Sequence, residues 1–254
     1  MKWSTPKWLL NKYWNLTLDK LAPAKFVEID GVKFRYLRRD APPQDPKQFS
    51  AQGQEFHERI EKLSGSSAVD IGANIGSYAL RLAKKFQTVT AFEPSPLHAR
   101  VLRSNVKLNK LRNVYVEEVA LSDEQGTNPL YVRTGGATSL DPSHYGLKYD
   151  KVVLVPTGKL DDFRSKLGRL DFVKVDAEGR ECRILKGGTE TISALKPILA
   201  IEVHQARIPS DGTCRCETCI MLKSLGYEVE VTGEFSAVGA VHWTWATPHE
   251  RRAT

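Results

Sequence analysis

Two acidic residues, each at the end of an apolar run, mark the part of the chain best suited to chemistry. Asp70 ends one run and is followed by a turn that contains Gly72 and Gly76. Glu93 ends a second run about 20 residues further on. Ligands of open α/β sheets bind at the carboxyl ends of parallel strands, where the acid after the second strand grips a ribose diol. The pattern predicts a site for a nucleoside-containing ligand, with Glu93 on the ribose.

The turn narrows the choice of ligand. A pyrophosphate needs the glycines of G-x-G-x-x-G, and here Asn74 occupies the place of the second glycine. No G-x-x-x-x-G-K-[ST] sequence is present either. The sparser Gly72-x-x-x-Gly76 suits a ligand that has an adenosine and an amino-acid tail but no phosphate, and S-adenosylmethionine fits that description. An ordinary strand-turn-helix connection is the plain alternative, and the placement of Glu93 favours the cofactor.

Four segments of the chain together resemble a known family. They are VDIGANIGS at 69–77, AFEPS at 91–95, FVKVDAEG at 172–179 and IEVH at 201–204, with ILKGG at 184–188 between the last two. The first segment alone would indicate only a superfamily, whereas K-x-D-x-E-G followed by L-K-G is much more specific. The chain resembles the FkbM-like family of class I S-adenosylmethionine-dependent methyltransferases over about 54–245. That resemblance implies O-methylation of a hydroxyl on a sugar, a glycan or another small molecule.

The resemblance also implies which residues contact the cofactor and the substrate. Glu93 would take the ribose hydroxyls, and the loop at 135–140 resembles the substrate-side loop of the family, which makes Ser139 a candidate contact. The other implied cofactor contacts are Asp70, Gly72, Asn74 and Gly76 around the methionine and ribose, and Ala120 and Ser122 beside the adenine.

The acceptor is expected beyond the ends of the fourth and fifth strands. Asp176 and Glu178 are two residues apart in extended chain, so both point the same way, and His204 ends the neighbouring strand. Methyl transfer to a hydroxyl requires alignment of the acceptor and removal of its proton. His204 or Asp176 could be the base, or Asp176 and Glu178 could hold a divalent cation that polarises the acceptor oxygen. Glu178 could instead only complement the next helix, and His204 could be structural.

The cysteines depart from the family pattern. Cys214, Cys216 and Cys219 form a C-x-C-x-x-C cluster on a loop that opens a predicted helix. Three thiols can bind a structural zinc ion when a fourth ligand joins them, from Cys182, a histidine or elsewhere. A set of free thiols is equally consistent with the pattern.

The elements that must position these residues alternate along the chain. We predict an α/β fold of the Rossmann-like class I methyltransferase type, with a seven-stranded, mostly parallel sheet and helices on both faces. Predicted strands lie at 68–71, 88–92, 114–119, 170–175 and 198–203, with closing strands near 229 and 243, and an excursion at 130–132 and 151–155. Predicted helices lie at 55–63, 75–83, 96–108, 180–193 and 219–225.

Residues 1–50 are predicted to be an N-terminal extension, and residues 51–254 the methyltransferase domain. The extension contains a hairpin in which 26–29 faces 32–36 across Asp30-Gly31, a strong two-residue turn signal. Before it, a basic aromatic stretch places apolar residues near one helical face: Trp3, Leu10, Trp14, Leu18 and Leu21. Packing against its own domain or a twin subunit is favoured over contact with a membrane interface or nucleic acid.

Composition sets the remaining expectations. The net charge of +7 at a pI near 9.2 favours anionic partners without identifying one. No run of about 18 apolar residues and no export signal is visible, so a cytoplasmic enzyme with reduced cysteines is expected. A methyltransferase acting on RNA is the second function class, although no RNA-binding module is visible.

Overall fold

The computed structural model describes residues 25–37, 40, 42–43, 45–48, 51–132, 138–141, 149, 151–204, 214–232 and 241–249. Its strands are β1 (Lys25–Ile29), β2 (Val32–Tyr36), β3 (Gly65–Ile71), β4 (Phe86–Phe92), β5 (Val114–Glu117), β6 (Ala120–Leu121), β7 (Gly126–Val132), β8 (Lys151–Gly158), β9 (Phe172–Val175), β10 (Ile198–His204), β11 (Tyr227–Thr232) and β12 (Val241–Pro248). Its α-helices are α1 (Ala51–Glu61), α2 (Ala79–Leu82), α3 (Pro96–Leu108), α4 (Arg164–Leu167), α5 (Glu181–Gly187), α6 (Thr189–Leu195) and α7 (Glu217–Ser224), and short 3-10 helices lie at Pro46–Gln48 and Leu160–Phe163. The basic aromatic stretch predicted near the N-terminus lies outside the described residues.

The central sheet has seven strands in the order β11-β12-β10-β9-β3-β4-β5. The five strands from β10 to β5 pair in parallel, and only β12 pairs antiparallel, with β10 on one side and β11 on the other. The carboxyl ends of β3, β4, β9 and β10 therefore meet at one edge, where ligands of such sheets bind. The predicted seven-stranded, mostly parallel sheet is confirmed. The excursion forms a separate sheet in the order β6-β8-β7.

Two hydrophobic cores lie on opposite faces of the sheet. Alternate residues along a strand point to opposite faces, and they divide between the cores accordingly. One core joins residues such as Val173 and Ile201 to α5, α6 and α7, and the other joins Phe172 and Ala200 to α1, α2 and α3. Helices thus cover both faces, as predicted.

The predicted hairpin is present and is docked on α3. Ile29 pairs with Val32 across Asp30 and Gly31, whose φ angles of +50° and +70° suit a two-residue hairpin turn. Among the described residues no further strand pairs with the outer edge of β2. Two asparagines of α3 pair with it instead. Asn105 accepts a hydrogen bond from Arg35 N and donates to Arg35 O, and Asn109 makes the same two bonds with Lys33. Side-chain amides therefore take the place of a neighbouring strand.

Two helices and one strand that were predicted to be continuous are shortened or divided in the structure. The helix predicted at 75–83 is reduced to α2, because Gly76 adopts a φ of +100° that a helix cannot contain. The helix predicted at 180–193 is split into α5 and α6 at Gly188. The strand predicted at 114–119 ends at Glu117, and the chain passes into the second sheet at β6. The division of the chain at residue 50 stays a prediction.

None of the helices in the described part of the chain is both long enough and apolar enough to cross a membrane. The cytoplasmic location stays a prediction.

Candidate active site

The turn after β3 is shaped by its glycine and its asparagine. Gly72 has a φ of +78°, and a Cβ there would lie 1.8 Å from the carbonyl oxygen of Asp176. Only glycine lets this turn approach the end of β9 so closely. Asn74 is also left-handed, with a φ of +51°, a conformation that asparagine tolerates better than most residues.

Glu93 is held rigidly at the end of β4. Its Oε2 accepts a hydrogen bond from Asn74 N at 2.8 Å, and its Oε1 accepts one from Ser95 N at 2.8 Å. Burial raises the pKa of Glu93, while the nearby His98 and these two backbone donors oppose the shift. Each carboxylate oxygen keeps a free lone pair, so Glu93 can still accept hydrogen bonds from a ligand.

Asp70 lies buried at the centre of the same edge. Neither of its carboxylate oxygens makes a hydrogen bond of normal geometry with the described residues, although the backbone N–H of Ala79 lies near enough to favour the charged form. Burial raises the pKa of Asp70 to about 6, even though the ammonium of Lys174 acts in the opposite direction. A buried carboxylate with so few donors is costly unless a ligand supplies more, so Asp70 can bind a positively charged or hydrogen-bonding group.

Lys174 is a buried cation that the sequence reasoning did not select. Its Nζ lies 2.9 Å from Asp176 Oδ2 and 4.7 Å from the centre of the Tyr78 ring. Although burial favours the neutral amine, Asp176 and Asp70 raise the pKa of Lys174, which therefore stays charged. The sequence did contain a signal for Lys174: it lies two residues before Asp176, so alternation along β9 places both side chains on the same face of the sheet.

These groups line one cavity of about 740 Å³, a size that suits a small-molecule ligand. Seven of the predicted site residues line it: Asp70, Gly72, Asn74, Glu93, Ala120, Asp176 and Glu178. Apolar residues border Ala120, among them Phe92, Val119 and Leu121. The lining thus combines polar groups at the ends of β3, β4 and β9 with an apolar wall near β6.

His204 lies behind Asp176 and Glu178 as part of an acidic cluster. Its Nδ1 is 2.8 Å from Glu181 Oε1, and its Nε2 is 3.5 Å from Glu178 Oε2 and 3.8 Å from Asp176 Oδ1. Burial favours the neutral ring, but the hydrogen bond to Glu181 and the charges of Asp176, Glu181 and Glu178 raise the pKa of His204 to about 10. The imidazole therefore carries two protons at neutral pH.

Glu202 is a further acid of this cluster that sequence reasoning overlooked. It lines the cavity, and its Oε1 lies 3.8 Å from His204 Nε2. Burial and the neighbouring Asp176 raise the pKa of Glu202 to about 7, against the effects of His204 and Lys174. Because Glu202 and His204 are two residues apart on β10, side-chain alternation could have identified it.

His204 does not line the cavity, and neither do three other residues that were predicted to contact a ligand. Gly76 serves packing, since a Cβ there would lie 2.5 Å from Leu102 Cδ1. Ser122 is buried, and its N–H donates to Gly158 O. Ser139 is 1% exposed, and its hydroxyl donates to Glu178 O at 2.8 Å. Ser139 thus fixes the backbone of a cavity residue, and direct contacts of these residues with a ligand stay predictions.

The predicted cysteine cluster is assembled away from the cavity. Cys214, Cys216 and Cys219 lie together with His242 of β12, whereas Cys182 lies on α5 outside the cluster.

A second group of side chains with ligand atoms within 4.8 Å of one another is formed by Asp176, Glu202 and His204. The cation predicted at Asp176 and Glu178 stays a prediction.

Comparison with known proteins places the chain in a family. Residues 70–229 match the methyltransferase FkbM domain. Methyltransferase sdnD of Sordaria araneosa is 31% identical, over 48% of this chain and 60% of that protein. The 2-O-methyltransferase NoeI of Sinorhizobium fredii is 29% identical, over 56% of this chain and 66% of that protein. The chain thus spans about three fifths of the length of the curated relatives it matches.

Among solved structures, M. jannaschii TYW2 in complex with AdoMet superposes with a TM-score of 0.52 at 18% identity. The match covers 88% of this chain and 84% of that one. At this identity the likeness concerns the fold alone, which it supports as Rossmann-like. With the cavity at the carboxyl edge of its sheet and a family match over most of that sheet, this chain belongs to the FkbM domain family of methyltransferases.

Proposed function

We propose that this chain is an S-adenosylmethionine-dependent methyltransferase that methylates a hydroxyl group of a sugar, a glycan or another small molecule. The observation that carries the proposal is that one cavity contains both Glu93, the acid proposed to bind the ribose, and the acidic cluster around Asp176. Family membership supports methyl transfer, and the printed name of NoeI, a 2-O-methyltransferase, supports an oxygen acceptor. No observation favours the RNA alternative.

The cavity suits the proposed cofactor at three points. Glu93 can accept hydrogen bonds from the ribose hydroxyls, and Asp70 can accept hydrogen bonds from the amino group of the methionine part. The adenine can pack against the apolar wall near Ala120. The cofactor, when bound, supplies an activated methyl group. The chain's own task is then to align the acceptor oxygen and to take up its proton.

We assign the proton-accepting role to Glu202, with Asp176 orienting the acceptor hydroxyl. A general base works best when its pKa lies near the working pH, and the pKa of Glu202 is raised to about 7. His204 is poorly suited because its pKa of about 10 keeps it protonated. Lys174 and His204 instead lower the pKa of Asp176, against the effect of burial, so that Asp176 stays ionised.

Cofactor identity is tested by calorimetry with S-adenosylhomocysteine, S-adenosylmethionine and NAD. We expect both S-adenosyl compounds to bind and NAD not to bind. Glu93→Gln should weaken binding about tenfold or more, because each charge-assisted hydrogen bond contributes about 1.5–3 kcal/mol. Glu117→Gln is the matched control, since Glu117 ends β5 without lining the cavity. Tight binding of NAD without binding of either S-adenosyl compound would overturn the proposal.

The acceptor class is tested with labelled S-adenosylmethionine and an extract whose methylated products are identified. We expect label in base-stable ethers of small hydroxyl compounds or glycans. With an acceptor in hand, Glu202→Gln should lower turnover by about two orders of magnitude or more and remove the pH dependence near 7. Label found only in RNA would contradict the proposed acceptor. Full activity of Glu202→Gln would return the role of base to Asp176 or His204, and loss of turnover on chelation would instead support a cation.

A further inference from the structure

The cysteine cluster brings together four metal-binding side chains from two separate elements. Cys214 and Cys216 precede α7, Cys219 lies in its first turn, and His242 comes from β12. One ligand atom from each side chain lies within 4.8 Å of every other. Since Cys219 and His242 are 23 residues apart, this convergence is a property of the fold and not only of the C-x-C-x-x-C spacing.

Two distances within the cluster are close to those between ligands of a single tetrahedral ion, and a third is shorter. Zinc binds sulfur at about 2.3 Å and nitrogen at about 2.0–2.1 Å, so its ligand atoms lie roughly 3.5–3.8 Å apart. Here His242 Nε2 is 3.4 Å from Cys214 Sγ and 3.7 Å from Cys219 Sγ. Cys214 Sγ and Cys216 Sγ are 3.1 Å apart, and all three cysteines are free thiols.

Burial makes the cluster difficult to explain as an ordinary polar contact. His242 and Cys219 are fully buried and Cys214 is 3% exposed. The Nδ1 atom of His242 has no hydrogen-bond partner among the described residues, and its Nε2 faces sulfur atoms, which are weak hydrogen-bond partners. A buried imidazole in such surroundings is poorly satisfied, whereas coordination through Nε2 would compensate its desolvation.

The surroundings also suit thiolate ligands. The backbone N–H of Cys219 donates to Cys216 Sγ at 3.4 Å. The hydroxyl of Thr244 lies 3.8 Å from Cys219 Sγ. Donors of this kind stabilise the negative charge of metal-bound sulfur.

We propose that Cys214, Cys216, Cys219 and His242 bind one structural zinc ion. A set of three thiolates and one imidazole in tetrahedral arrangement is a typical zinc ligand set. Four protein ligands leave no position for a substrate, and none of the four residues lines the cavity. The site is therefore separate from methyl transfer, and the proposal does not depend on the proposed function.

The position of the site indicates that zinc would link two elements of the fold. His242 pairs in register with Val203, the residue before His204 on β10. Residues 205–213 connect His204 with Cys214 along the chain. Zinc would thus hold the start of α7 and the cysteines before it to β12, beside the strand that carries Glu202.

The first test is the metal content of the full chain, purified without added metal and under reducing conditions. We expect about one zinc per chain and a melting temperature that falls on removal of the metal by a strong chelator and recovers on addition of zinc. Cobalt in place of zinc should give the absorption of tetrahedral thiolate coordination. A metal-free protein whose melting temperature does not respond to zinc would overturn the proposal. So would a disulfide between Cys214 and Cys216 in protein purified under these conditions.

Variants identify the ligands. Cys216→Ser and His242→Ala should lose most of the zinc, whereas Cys182→Ser, the matched control outside the cluster, should retain it. His242→Cys should keep zinc because four cysteines form an equally good site, which separates a lost ligand from a damaged fold. Full zinc content in both Cys216→Ser and His242→Ala would contradict the assignment. Affinity for S-adenosylhomocysteine should be nearly unchanged in His242→Cys.

Discussion

Replacement of Glu181 by glutamine should expose how the fold stabilises a charged histidine. Glu181 and His204 are 3% and 4% exposed, and their side chains meet at 2.8 Å. A rise of the His204 pKa from 6.5 to about 10 corresponds to about 5 kcal/mol of preference for the charged ring, at 1.36 kcal/mol per pKa unit. Removing one partner of a buried ion pair typically costs about 3–5 kcal/mol. We expect the lower end, about 3 kcal/mol, because Asp176 and Glu178 still face Nε2.

The sign of the pH dependence follows from the raised pKa. Stabilisation by charged His204 is complete below pH 6.5 and is lost as the pH rises through about 10. The stability difference between wild type and Glu181→Gln should therefore be largest near pH 6 and shrink towards pH 10.

Urea unfolding of both proteins at several pH values measures this difference, with Glu190→Gln as the control. Glu190 is exposed on the neighbouring α6, so its substitution removes the same charge without breaking a buried pair. A loss that is equal at pH 6 and pH 9.5, or no larger than that of Glu190→Gln, would refute the reasoning.

Three further substitutions test other parts of the structure. Asn74→Gly should leave affinity for S-adenosylhomocysteine close to that of wild type, whereas Asn74→Val should weaken it about tenfold or more by calorimetry, because a φ of +51° costs a branched residue about 1–2 kcal/mol. Gly187→Ala should lower the unfolding free energy by about 1–3 kcal/mol in urea titrations, since its Cβ would lie 1.9 Å from Ser122 O. Asp171 accepts hydrogen bonds from Ser66 N and Ser67 N, and despite burial its pKa is lowered from 3.8 by Arg169 and these donors. Asp171→Asn should therefore destabilise at pH 7 by about 1–3 kcal/mol, with the difference shrinking as the pH falls below about 4 in acid-unfolding curves.

The sequence predicted correctly those elements whose ends are set by residues adjacent in the chain, such as a cap or a turn. Helix α3 has the predicted bounds, because Ser95 caps it and Pro96 opens it. The hairpin likewise follows from Asp30-Gly31. The split between α5 and α6 at Gly188 was not predicted. Gly188 and the preceding Gly187 pack closely against Leu160 and Ser122, which lie far earlier in the chain. Such contacts leave no periodic signal.

The site was predicted as far as it depends on strand ends. Asp70, Glu93, Asp176 and Glu178 all line the cavity, since each lies at or just beyond the end of an apolar run. Glu202 was overlooked because it lies within the strand and reaches the cavity only through the alternation of β10. The raised pKa of His204 depends on Glu181, a helix residue whose proximity to His204 cannot be read from spacing.

The asparagine pairing between α3 and β2 bears on where this chain can be shortened. Besides its two bonds with Arg35, Asn105 donates to Ile75 O in the turn that follows β3. Starting the chain at residue 51 would remove the acceptor and donor of Arg35 and uncover Leu80, which packs with Phe34. Asn105, which is fully buried in the intact chain, would then exchange two of its protein hydrogen bonds for water, at a net cost of about 0.5–1.5 kcal/mol for each bond. The hairpin is thus part of the support of the turn after β3, and a fragment that begins at Lys25 keeps this support.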